Sequence, residues 1–191
     1  MKIGRFGDIR GTPVALGTGA KVTDTERLPM ENFRRGVSAP TAATRNGVAG
    51  YLFTADAETL YVQFCTPPTW DRASDINILI YCVLNADETN NDKIDWETSV
   101  VSVADHEDAD TAATQTPGVE HDIETFIAAG TLHKVTLTLD YNHGTCPIVA
   151  GDNVSITLSR TANVGAAGYV AGVLVTDICI MYQKDRLGET I

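Results

Sequence analysis

The chain has 191 residues, 43% of them hydrophobic, and its 14 basic and 25 acidic side chains give a net charge of -11. That length can bury a substantial core in one domain. The acidic balance argues against nonspecific nucleic-acid or anionic-membrane binding as the main task. The charge is also divided unevenly. Residues 1–45 hold eight basic and four acidic residues, a net of +4, and the remainder carries 6 basic and 21 acidic, a net of -15.

Residues 1–48 are rich in Gly, Thr, Pro, Arg and Ala and show neither helical nor sustained strand periodicity. Gly4, Gly7, Gly11, Gly17 and Gly19, with Pro13, Pro29 and Pro40, break any regular element, so an extended basic arm is expected. Its scattered apolar residues, Phe6 and Phe33 among them, imply that it docks onto a surface. Arg5, Phe6, Arg10, Arg27, Phe33, Arg34 and Arg35 are its candidate partner-binding residues. The N-terminus has no apolar segment of signal-peptide length, and no apolar run is long enough to span a bilayer.

From Gly50 the texture changes to short strands separated by turns. Residues 51–54 form a weak strand and 59–66 a clear one, ended by Pro67 and Pro68. Residues 75–84 carry Ile76, Ile78, Ile80, Cys82 and Leu84 on one face, with Leu79, Tyr81 and Val83 on the other, the pattern of a central strand. Residues 93–103 place Ile94, Trp96, Thr98 and Val100 on one face against Asp95, Glu97 and Ser99, a strand with one wet side, expected to return beside 75–84. An acidic loop follows over 104–118. Strands are then expected over 119–128 and 131–141, over 154–159 after the Gly151-Asp152 turn, and over 169–182.

Eight short strands and no segment of 3.6-residue period predict an all-β fold, an eight-stranded antiparallel jelly-roll-like sandwich. The expected division is an arm over 1–48, a sandwich over 49–185 and a tail over 186–191. Cys65, Cys82, Cys146 and Cys179 do not suggest a disulfide framework, because three of them sit among apolar strand residues as small hydrophobes.

No catalytic constellation emerges. His106, His121, His133 and His143 are scattered, and no nucleophile elbow exists. Residues 17–21 (GTGAK) lack the full phosphate-loop spacing. His143 and Cys146 have a zinc-like gap but no second pair. Two acidic loops offer oxygen ligands of the kind calcium uses, Asp87, Thr89, Asn91 and Asp92 in one, Asp105, Glu107, Asp108 and Asp110 in the other. Neither has an EF-hand's glycine and terminal glutamate, so solvated loops are favoured. Trp70 and Trp96 could be sugar platforms; Trp96 shares a face with Ile94 and Val100 and Trp70 follows two prolines, so core packing is expected of both. No cofactor, no metal and no enzymatic activity are expected.

The series Pro68-Thr-Trp70-Asp71, Ile76-Asn-Ile-Leu-Ile-Tyr81, Ile94-Asp-Trp96-Glu97, Val100-Val-Ser-Val-Ala-Asp105, Thr116-Pro-Gly118, Val154-Ser-Ile-Thr-Leu-Ser-Arg160 and Val173-Leu-Val-Thr-Asp-Ile178, ending at Tyr182, resembles small β-sandwich virion proteins of tailed bacteriophages. It covers roughly residues 58–183. The family's acidic turn after the Arg strand is here Thr161-Ala-Asn-Val-Gly165, without its aspartates. The resemblance implies a non-enzymatic virion component made in the host cytoplasm. Its leading form is a capsid decoration or cement protein, a homotrimer that binds and stabilises the major capsid protein shell. The alternative is a tail-associated or receptor-binding module that contacts a host glycan through its loops.

Overall fold

The computed structural model describes residues 21–55, 57–88, 92–110, 112–123, 127–161 and 171–184. Among them are β1 (Val22–Leu28), a 3-10 turn (Met30–Asn32), β2 (Arg34–Arg35), β3 (Thr41–Arg45), β4 (Val48–Phe53), β5 (Thr59–Cys65), β6 (Ile76–Leu84), β7 (Lys93–Val103), β8 (Thr114–Gln115), β9 (Gly118–Asp122), β10 (Leu132–Leu139), β11 (Asn153–Thr161) and β12 (Val173–Lys184). They form an antiparallel β-sandwich of jelly-roll type. One sheet runs β10-β6-β12-β4-β3, with β1 also on β12; the other runs β2-β5-β11-β7-β8, with β9 also on β7.

Alternation builds the dry layer between the sheets. Val154, Ile156 and Leu158 of β11 and Ile94, Trp96 and Val100 of β7 face Ile76, Ile78 and Ile80 of β6, all at most 2% exposed. Burying each such side chain contributes about 1.5–3 kcal/mol. Trp96 meets Phe53 edge to face, with ring centroids 5.4 Å apart, an arrangement the ring quadrupoles favour. Trp70 is 1% exposed. Both tryptophans are therefore core, as the patterning implies.

β12 is long enough to be shared. β6 pairs along one edge, while β4 takes Val173–Val175 and β1 takes Ile178–Lys184 on the other. A register shift between Val175 and Asp177 changes which residues face inward, so Val173 and Val175 give way to Ile178, Ile180 and Tyr182. This is a β-bulge, and it explains why the strand's apolar alternation changes phase.

Four expectations are corrected. β6 and β7 lie in different sheets, because β10 and β12 occupy both edges of β6 while β7 pairs with β11 on one side and with β8 and β9 on the other. All eight expected strands exist, and β1, β2, β3 and β8 bring the total among the described residues to twelve. The strand expected over 119–128 is the shorter β9. The arm expected over 1–48 is built into the sandwich from Val22 onward, since β1 takes its backbone hydrogen bonds from β12 and Phe33 is 4% exposed in the core. Residues 1–20, and the tail expected over 186–191, lie outside the described residues.

Candidate functional site

Strand register places three rows of side chains on the outward face of the β6 sheet. They are Thr138, Asn77, Met181 and Thr25; Thr136, Leu79, Cys179 and Arg27; and Lys134, Tyr81 and Asp177. The middle of this face is covered. Arg27 passes its register partner Cys179 to reach the Asp177 carboxylate at 2.8–2.9 Å, and Leu79 and Cys179 are buried.

Beyond the first row the face opens into a groove of about 530 Å³. Asn77, Thr138 and Met181 line it from the sheet, Thr23 and Gln183 from the β1 and β12 ends, Ser74 and Asp75 from the corner before β6, and Tyr141 from the turn after β10. The corner is rigidly made. Trp70 plugs it and donates its indole N–H to the Ser74 carbonyl at 3.0 Å, and the Asp71 N–H donates to the Gln183 carbonyl at 2.7 Å. The Asp71 carboxylate accepts the Ala73 N–H and pairs with Lys21, another lining residue. Lys21 holds the Asp71 carboxyl below its ordinary range, with the Ala73 N–H adding to the effect and partial burial opposing it.

The groove's polar groups are oriented by their neighbours. Thr138 donates its hydroxyl to Asn77 Oδ1 at 2.8 Å, which fixes the amide and leaves its NH₂ facing away from that bond. Asp75 accepts the Tyr141 N–H at 3.3 Å, and the Ser74 hydroxyl donates to the Asp71 carbonyl at 2.8 Å. The result is a set of hydroxyl, amide and carboxylate groups around a thioether and a phenol ring. Such a set can hydrogen-bond a ligand dense in hydroxyls while its apolar atoms cover the ligand's C–H surface.

Among the described residues, the expected partner-binding side chains do not converge. Arg27 is committed to Asp177, Phe33 packs near Tyr51 with ring centroids 6.3 Å apart, and Arg34 and Arg35 form β2 against β5. Arg5, Phe6 and Arg10 lie outside the described residues.

The candidate ion loops have other employment. Asp87 accepts the Ala129 N–H at 2.7 Å, Glu107 that of Ala104 at 2.9 Å, and Asp108 that of Asp110 at 3.0 Å. Asp92 has a carboxyl raised by burial and by the neighbouring Glu88, whereas Thr89 and Asn91 lie outside the described residues. His143 Nδ1 accepts the Cys146 N–H at 3.3 Å and so closes a turn. Among the described residues, no three His, Cys, Asp or Glu side chains gather as a metal site.

Comparison with protein families finds no match, and neither does comparison with curated proteins. Solved structures of similar architecture include the xylan-binding module CBM15, at TM-score 0.48 and 13% identity over 84% of this chain and 97% of that one. The CBM22-1 xylan-binding domain of Paenibacillus barcinonensis Xyn10C aligns at TM-score 0.48 and 13% identity over 88% and 100%. A module specific for non-crystalline cellulose, CBM28, aligns at TM-score 0.45 and 8% identity over 79% and 87%. At this divergence no binding residue transfers from them to this chain.

Two features of the surface escaped the sequence reading. The groove is assembled from four separate stretches of chain, around residues 21–23, 73–77, 138–141 and 181–183, none of which carries a motif. His121 and His133 were scattered in sequence, yet they meet between the sheets. The usable signal was phase, since each shares its strand's inward face with a valine, Val119 or Val135.

Proposed function

We propose that the chain is a non-enzymatic binding module and that the groove along the Asn77 and Met181 row holds an uncharged glycan segment. The observation carrying this reading is the convergence of Thr23, Asn77, Thr138 and Gln183 on one concave opening. Its volume falls in the range of about 300–1,000 Å³ usual for ligand sites. The lining cation, Lys21, is already engaged by Asp71, so the groove offers little to an anionic sugar, and Asp75 further disfavours one. Met181 and Tyr141 supply apolar surface for sugar C–H groups.

The test is titration calorimetry of the purified chain against neutral and uronic-acid oligosaccharides, with xylan and cellulose fragments among the first probes. Saturable binding of a neutral glycan supports the reading. Heat from acidic glycans alone, or from none, contradicts it.

A second reading rests on the strand series over residues 58–183. It assigns the chain to a phage particle, as a homotrimeric decoration protein on the major capsid protein shell. Deleting residues 1–45 would remove β1 and the buried Phe33, so the informative truncation stops at Ala20. This reading expects the full chain to co-sediment with capsids and the truncated chain to lose that association. Retained association would refute a capsid strap formed by residues 1–20.

A further inference from the structure

β9 is an edge of one sheet and β10 an edge of the other, so the two meet along one open side of the sandwich. Their register places His121 opposite Ile94 and His133 opposite Cys82, with both rings on the inward side. His121 Nε2 lies 3.3 Å from His133 Nδ1, and the ring planes are inclined at 77°. Further along the same side the seam is fastened by Gln115, whose amide binds the Asp140 and Cys146 carbonyls and the Asp140 N–H, each at 3.2 Å.

Two nitrogens bound to one tetrahedral zinc at about 2.0–2.1 Å stand roughly 3.3–3.4 Å apart. The His121 and His133 nitrogens already have that separation, on rings that are half-buried and held by two different sheets. We propose that His121 Nε2 and His133 Nδ1 form a two-histidine clip for a divalent transition metal such as Zn²⁺. Imidazole donors select Zn²⁺, Ni²⁺ or Cu²⁺ over Ca²⁺ and Mg²⁺. The ion would tie β9 to β10, adding a link between layers that share no backbone ladder. The competing arrangement is a hydrogen bond between the two rings with no metal affinity.

The test uses the full chain with the exposed thiol removed by Cys65→Ser, so that sulfur ligation does not intrude. Thermal melting is compared in EDTA and in Zn²⁺, and Co²⁺ is titrated as a spectroscopic probe. We expect one equivalent of Co²⁺ to give visible ligand-field bands. Zn²⁺ at a hundredfold excess over its dissociation constant should raise Tm on the order of 5–10 °C. His121→Gln and His133→Gln should each abolish both signals, while a His106→Ala and His143→Ala double variant keeps them. Should a Gln variant fail to fold, histidine ring resonances of the parent chain decide, with His121 and His133 expected to shift together on Zn²⁺ addition. Absence of a metal shift in the parent chain, or its survival in either Gln variant, overturns the clip.

Discussion

Gly50 runs so close to Val175 that a methyl group on its Cα would lie 2.3 Å from the Val175 carbonyl oxygen. The contact falls at the β12 bulge, where the strand's register changes between Val175 and Asp177. There the backbone carbonyl turns toward β4. Since a backbone oxygen cannot move aside as a flexible side chain can, Gly50→Ala must separate β4 from β12. Overpacking of this kind costs roughly 1–3 kcal/mol. Urea unfolding should show a loss in that range, and Tm should fall several degrees at about 2–4 °C per kcal/mol. Unchanged stability would mean that the bulge is not tightly packed.

Acid should loosen the groove's corner through Asp71. Its folded-state pKa lies below the unfolded value because Lys21 pairs with it. The unfolded chain therefore takes up the proton first. This contribution is fully present above the ordinary aspartate pKa of about 3.9 and is lost as pH falls through the lower folded value. Asp71→Asn should melt lower than the parent at pH 7, and the gap should narrow below about pH 4. A gap that stays constant with pH would assign the effect of Asp71 to packing alone.

The thiols should separate by access. Cys65 is exposed, and the other three are buried. Burial pushes the Cys82 thiol up to about 12, with Arg160 opposing, and burial with the Asp177 charge raises Cys179. Because the thiolate is the reactive form, a colorimetric thiol reagent at pH 8 should titrate one equivalent rapidly in the native chain and four in denaturant. Rapid native reaction of Cys82 would show that the β6 sheet opens readily.

Legibility in the sequence followed the source of each element's stability. β7 and β11 alternate strictly because one face of each is dry, and β6 carries apolar residues on both faces because it lies inside its sheet; all three were recognisable. Neighbours in the sheet were not, since a period of two says which face is buried and nothing about which strand pairs at each edge. β1 could not be seen either. Of VTDTERL only Leu28 is buried, and its strand form comes from pairing with β12 rather than from its own pattern. The groove was hidden for a related reason. Asn77 and Thr138 look like ordinary outward polar residues until the β6 and β10 register sets them side by side.

The measurement that bears most directly on the proposed function is the affinity of a neutral oligosaccharide for the parent chain compared with Asn77→Ala and Gln183→Ala. Each substitution removes a groove amide without touching the core, so stability should change little, and loss of one well-made hydrogen bond should weaken binding about tenfold. That outcome, with Tm nearly unchanged, is predicted. A glycan bound equally well by parent and both variants would place the site elsewhere and contradict the assignment of the groove.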